Sequence, residues 1–243
     1  MASPRRVPEQ MTSPAVWAHR GSPDPASGIR ENTIEAFFRA RLLGADGVEL
    51  DVRRTADGAL VVHHDSELRG VGPVGELVSD RLPEWVARLP AALDACEGLV
   101  VNIELKNLPG ETGFDPDEGM ARQVAELVVA TGREATVVIS SFWPGSLDAV
   151  HDAHPQLATG LLVGSWFAPA ACVPMALEHG CTALHPHCSL LDESMAVGAG
   201  EAGLSLATWT LNDPSSIRTA AELGVGTVIT DDVSLALSVL GRE

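Results

Sequence analysis

Lysine is almost missing from this chain: fifteen of its sixteen basic residues are arginine, and Lys106 is the exception. Either a coding bias toward arginine spared one position by chance, or position 106 needs a compact ammonium that a planar guanidinium does not replace. Clustered cations are lacking too. The net charge is −17, whereas a surface that follows nucleic-acid or membrane phosphates needs grouped positive charge. Nucleic acid and stable membrane association are therefore not expected, and any attraction for an anionic substrate has to be local. Long hydrophobic runs are also absent. Although 45% of the chain is apolar, no stretch approaches the roughly 18 consecutive apolar residues of a membrane-spanning helix. Residues 1–15 hold Arg5 and Arg6 but three prolines and no apolar core of a secretory signal. Residues 1–14 read as a flexible tail ahead of a single domain over 15–243. Cys96, Cys172, Cys181 and Cys188 fall singly, without a CxxC pair, which favours reduced thiols in a cytoplasmic protein over a disulfide framework.

What the chain does contain is an alternation of short apolar runs with amphipathic segments ended by glycine, the mark of repeated strand–helix units and a parallel sheet. The candidate strands are 15–19, 47–52, 59–63, 99–105, 135–140, 158–163, 181–185, 204–210 and 225–230. Helix ends are marked as well. Asn32 with Glu35 resembles a capping box before a helix that stops at Gly44. Asp115–Pro116 and Asp213–Pro214 open helices that stop at Gly132 and Gly224. Two more, near 169–179 and 191–202, stop at Gly180 and Gly203. Nine candidate strands are one too many for a closed eight-stranded barrel. The link 53–58 is short for a parallel crossover and contains Asp57–Gly58, a hairpin signal, so local rules pair 59–63 antiparallel to 47–52.

Two strands carry charge in a regular pattern. In Val48-Glu49-Leu50-Asp51-Val52 a period of two puts both carboxylates on one face and the aliphatic residues on the other. Asn102-Ile103-Glu104-Leu105-Lys106 repeats the arrangement. Charges turned into a barrel are costly without compensation. At the C-terminal rim of adjacent parallel strands, Glu49, Asp51 and Glu104 form an all-oxygen cluster suited to one divalent cation, Mg²⁺ or Ca²⁺, with Mn²⁺ as a third choice. The plainer alternative pairs each carboxylate with an arginine such as Arg20 or Arg53. His19-Arg20-Gly21 ends the first strand and His63-His64-Asp65 follows another aliphatic run. A histidine beside a metal and a phosphate serves as general acid or base near neutral pH.

These stretches together resemble the glycerophosphodiester phosphodiesterase family. The resemblance rests on His19-Arg20-Gly21, Glu31-Asn32-Thr33, Gly44 to Val52, Asp57-Gly58, Val61-Val62-His63-His64-Asp65, Asn102 to Lys106, Ser140-Ser141-Phe142, Trp209-Thr210-Leu211-Asn212 and Ile229-Thr230-Asp231, in the family's order over nearly the whole chain. It implies an α/β fold of the TIM-barrel type with a shortened insertion after the third strand. It also implies His19 and His64 as the acid/base pair and Glu49, Asp51 and Glu104 as metal ligands. Arg20 and Lys106 would contact the phosphate, and Phe142 and Trp209 would line the substrate pocket, although either aromatic alone is more often a core residue. The expected reaction is metal-dependent hydrolysis of a glycerophosphodiester to glycerol 3-phosphate and an alcohol, by a monomer or homodimer whose partner is that small molecule. Two rivals are a phospholipase D-like or cyclising phosphodiesterase acting on lysophospholipids, and a non-catalytic barrel that binds the head group. The resemblance collides with the hairpin, because a strand antiparallel to 47–52 would carry His64 toward the far rim. The expectation is therefore an irregular crossover over 53–58, with a later candidate strand as the surplus one.

Overall fold

The computed structural model describes residues 13–242. The proposed tail thus falls, for residues 1–12, outside the described residues; Pro14 is buried and its carbonyl accepts from Arg242 Nη1 at 3.2 Å. In chain order β1 (Ala15–Ala18) leads through α1 (Ile34–Leu42) to β2 (Gly47–Arg54), which turns back into β3 (Leu60–Val62). A ribbon of β4 (Glu67–Leu68) and β5 (Gly72–Pro73) follows, then α2 (Leu89–Ala95) and β6 (Val100–Leu105). From there strands and helices alternate: α3 (Gly119–Ala130), β7 (Val137–Ser141), α4 (Pro144–Ala153), β8 (Ala158–Val163) and α5 (Pro169–Glu178). The chain ends through β9 (Ala183–Pro186), α6 (Glu193–Glu201), β10 (Ser205–Thr208), α7 (Pro214–Glu222), β11 (Thr227–Thr230) and α8 (Val233–Val239).

Strands β1, β2 and β6 to β11 are parallel neighbours, and β1 pairs with both β2 and β11, so these eight close into a TIM-type barrel. Period-two alternation divides each strand between two apolar regions. Val48, Leu50 and Val52 of β2 are fully buried on the outer face, in one core with Phe37 and Ala40 of α1. Inside the barrel a smaller cluster forms around Trp17, Ala207 and Ile229. Gly47 makes room for that filling: a Cβ there would lie 2.6 Å from Trp17 Cδ1 and 2.6 Å from the Val100 carbonyl oxygen. Because one of those atoms is backbone and fixed by the β2–β6 ladder, Gly47→Ala is expected to destabilise the protein by about 1–3 kcal/mol or more, read as a lower urea midpoint at unchanged slope.

The helix signals hold with two corrections. The cap of α1 is Thr33, whose Oγ1 accepts from Ala36 N at 3.3 Å, not Asn32. The helix expected from Asp115–Pro116 starts later, at Gly119, after Glu118 in a left-handed conformation. Asp213 caps α7 as expected, accepting from the amides of Ser215 and Ser216. All four cysteines are free, and burial pushes the Cys96 thiol up to about 12.

The larger correction concerns residues 53–63. No crossover forms; β3 runs antiparallel to β2, with Arg54 opposite Leu60 and Val52 opposite Val62, and β3 is itself the surplus ninth strand. His64 still reaches the barrel mouth because β2 continues to Arg54, so the hairpin stands above the rim. Its return leg is three residues long, and at its foot His63 N donates to the Asp51 carbonyl at 2.9 Å. The returning chain therefore stops at the level of Asp51 instead of crossing the barrel. Beyond it the insertion folds into a small lobe whose core is Val61, Leu68, Val74 and Val86.

Candidate active site

The polar face of β2 and β6 converges at the barrel mouth. In the β2–β6 register Asp51 lies opposite Glu104 and Glu49 opposite Asn102. One carboxylate oxygen each from Glu49, Asp51 and Glu104 lies within 4.8 Å of the other two, and all three residues are buried. Lys106, last in the alternating row, sets its Nζ 3.1 Å from Asp51 Oδ1 and against Glu104 Oε1. Burial opposes the charge on Lys106, but Glu104 and Asp51 outweigh it and keep the ammonium protonated. This is the compact cation that the lone lysine signalled.

The three acids are not equivalent. Burial works against ionisation of Asp51, yet Lys106, His64, Arg20 and the Asn32 amide hold it at about 2; Asn32 Nδ2 donates to Asp51 Oδ2 at 2.7 Å. Arg20 Nε stands 3.6 Å from the same oxygen. Among the described residues Glu49 has no lysine or arginine in an ion pair; only the His19 ring, at 4.0 Å, faces it. Burial first, then the charge of Asp51, push it up to about 8. Its Oε2 accepts from the Arg20 amide at 2.8 Å, whereas its Oε1 is buried without a hydrogen-bond partner. Three carboxylates face two cations here, and the residual negative charge and the orphaned oxygen fit a hard divalent ion. The pairing with arginines that the sequence allowed is realised only in part: Arg20 serves Asp51 and Glu31, while Arg53 pairs with Glu111 away from the cluster.

His19 follows β1. Its Nδ1 is 2.7 Å from Asp231 Oδ1, which fixes the ring so that Nε2 faces Glu49 Oε2 at 4.0 Å. Burial pulls the His19 pKa down, but Asp231 and Glu49 raise it above the ordinary value. The turn after it is built for this: Arg20 has φ 54° and Gly21 φ 79°, and a Cβ on Gly21 would meet Ala36 Cβ at 2.9 Å. His64, at the foot of the hairpin, bonds Asp65 through Nδ1 at 2.7 Å. Burial and the nearby Lys106 lower its pKa, against the pull of Asp51.

A cavity of about 960 Å³ opens here, lined among others by His19, Arg20, Glu49, His64, Glu104 and Lys106. Asp51, 1% exposed, lies just beneath its floor. Phe142 and Trp209 line the opposite wall with ring centroids 5.6 Å apart. Every residue singled out from the sequence is therefore at this mouth. Others there were not singled out. Asp231 sat in a matched stretch, and its carboxylate next to a strand end was the available signal; Asn212 grips it at 2.6 Å. Asn32 read as a cap and instead serves Asp51. Trp166 lines the cavity with no motif to mark it, and Arg53, read from the sequence only as a possible carboxylate partner, lines it too.

Comparison with known proteins agrees with the geometry. The sequence profile of the glycerophosphoryl diester phosphodiesterase family matches residues 19–81 and 73–235. A glycerophosphodiester phosphodiesterase of Caldanaerobacter subterraneus subsp. tengcongensis is 31% identical over 252 residues, covering 93% of this chain and 98% of that protein. Among solved structures, the glycerophosphodiester phosphodiesterase of Thermotoga maritima superposes with a TM-score of 0.74 at 25% identity, covering 94% of this chain and 99% of that one. An Oleispira antarctica phosphodiesterase, solved with its product sn-glycerol-3-phosphate, shares the fold with a TM-score of 0.79 at 24% identity, covering 95% and 98%. With profile, relative and barrel in agreement over nearly its whole length, this chain is an enzyme that belongs to the glycerophosphoryl diester phosphodiesterase family.

Proposed function

We propose that the protein hydrolyses glycerophosphodiesters to glycerol 3-phosphate and an alcohol, with Glu49, Asp51 and Glu104 holding one Mg²⁺, Ca²⁺ or Mn²⁺ and with His19 and His64 as acid and base. The observation that carries this reading is the meeting of three buried carboxylates within 4.8 Å, one of them with an orphaned oxygen, in a cavity that both histidines line. A bound divalent ion supplies Lewis-acid stabilisation of a phosphoryl oxygen and lowers the pKa of a coordinated hydroxyl. The chain's own residues supply the rest. Arg20 and Lys106 offset charge on the phosphoryl group. One histidine takes the proton of the attacking glycerol hydroxyl as its oxygen bonds to phosphorus, and the other gives a proton to the departing alcohol oxygen. Water then opens the cyclic phosphate with the histidine roles reversed. Asp231 and Asp65 orient the two rings through Nδ1 and leave each Nε2 as the working atom.

One observation favours a lysophospholipid as a second substrate class. Beyond Phe142 the cavity wall continues to Trp166, 5.7 Å away centroid to centroid and 72% exposed, an apolar ledge at the mouth. No helix among the described residues is long and apolar enough to cross a membrane. Chelation followed by re-addition of Mg²⁺, Ca²⁺ or Mn²⁺, assayed on a panel of glycerophosphodiesters and on micellar lysophosphatidylcholine, tests both readings. Activity should vanish with chelation and return with at least one ion. Turnover that chelation leaves untouched refutes the carboxylate site.

A further inference from the structure

Among the described residues Arg53 is the only arginine in the buried class, at 6% exposure. It is the third member of the row Glu49, Asp51, Arg53 on one face of β2, but it stands where β2 has left the barrel. The last β2–β6 rung pairs Val52 with Leu105, and Lys106 N closes the ladder by donating to the Val52 carbonyl at 3.0 Å. Past that point two chain segments separate: the foot of the hairpin, with His64, and the loop after β6, with Lys106. The Arg53 guanidinium spans them. Its Nε donates to the His64 carbonyl at 2.9 Å, and its Nη1 lies 3.4 Å from the Lys106 carbonyl and 2.9 Å from Glu111 Oε2.

We infer that Arg53 is a positioning residue, which holds the His64 imidazole and the Lys106 ammonium at a fixed separation across the cavity; this rests on the roles proposed for those two residues. A buried guanidinium is costly to desolvate, and an apolar side chain of similar volume would often fill the space at no loss of stability. What methionine or leucine does not supply is a rigid planar fork that meets two carbonyls and a carboxylate at once. Both carbonyls belong to residues whose side chains line the reactive cavity; each segment is held at its root by one backbone bond, Lys106 N to the Val52 carbonyl and His63 N to the Asp51 carbonyl, and the guanidinium joins the two segments beyond those roots. Arg53 makes no ion pair with Glu49, Asp51 or Glu104, and these three stand on the paired strands β2 and β6, so its loss leaves the carboxylates in place even where the Lys106 segment loosens. A shift of about 1 Å between reacting groups costs on the order of 10²-fold in rate.

The test compares wild type with Arg53→Met and Arg53→Lys, using turnover, divalent-dependent thermal stabilisation and amide hydrogen exchange. In Arg53→Met, kcat should fall by about 10- to 100-fold while KM changes by less than about threefold, and the stabilisation by Mg²⁺, Ca²⁺ or Mn²⁺ should persist. Arg53→Lys, whose ammonium cannot span both carbonyls, should lie between the two. Exchange should quicken in segments 63–66 and 106–111 and stay at wild-type rates in β8 and β9. Wild-type kcat in Arg53→Met, or exchange that rises evenly around the barrel, overturns the inference. Should Arg53→Met fail to fold, Arg53→Lys decides: unchanged kcat, or loss of divalent stabilisation together with activity, overturns it. A wild-type protein inert toward every diester defeats the catalytic reading instead, and the exchange pattern still reports whether Arg53 ties the two segments.

Discussion

Replacing His19 or His64 by alanine is expected to lower kcat by about 10²–10⁴-fold, with the midpoint of thermal unfolding close to that of the wild type. Both rings are partly exposed at the mouth and neither belongs to the apolar core, so little packing is lost. The electrostatic cost is also contained. In His19→Ala, Asp231 keeps its bond from Asn212, and in His64→Ala, Asp65 is largely exposed to water. The two variants should fail together, because proton removal from the nucleophile and proton delivery to the leaving oxygen are consecutive demands of one displacement. Steady-state kinetics alongside thermal melts check this. Near-normal turnover in either variant would remove that histidine from the chemistry.

Glu49→Gln should separate stability from activity. In the divalent-free protein, burial and the neighbouring Asp51 push the Glu49 carboxyl up from 4.5 to about 8. Between those values the folded chain keeps a proton that the unfolded chain has released. This contribution to stability therefore falls as pH rises from 4.5 to about 8 and levels off above that. Glutamine removes the titration. Without divalent ion the variant should melt above the wild type at pH 8, by about 2–4 °C for each kcal/mol recovered, and the difference should close toward pH 5. Adding Mg²⁺, Ca²⁺ or Mn²⁺ should reverse the order, because an ion bound only to the folded state would stabilise the wild type and the variant would lack one of the three proposed ligands. Activity should be lost in the variant at every pH. A variant that retains wild-type turnover and the full divalent-induced rise in melting temperature would show that Glu49 is not a ligand.

The strand pattern explains why the carboxylate row could be read directly. A strand alternates its side chains by local geometry, so Val48 to Val52 and Asn102 to Lys106 reveal their polar faces before any partner is known. Caps are local too, and Asp213 and Gly44 behave as read. Asn32 misled for the same reason: its sequence context matches a cap, and only the approach of β2, nineteen residues on, gives its amide a better use on Asp51.

Periodicity by itself determined the strand–helix alternation of a parallel α/β sheet and the two strands that carry acids, and a count singled out Lys106, because each follows from spacing along a few residues or from a tally; the closed barrel came from the ordered motifs of the family resemblance. Only tertiary structure decided that the hairpin stands above the rim, so that His64 and an antiparallel β3 are compatible. It alone joined His19 to Asp231 across 212 residues and gave Arg53 the carbonyls of His64 and Lys106. Those contacts depend on where one strand ends relative to another and on closure of the barrel, and no local propensity encodes a register between segments so far apart.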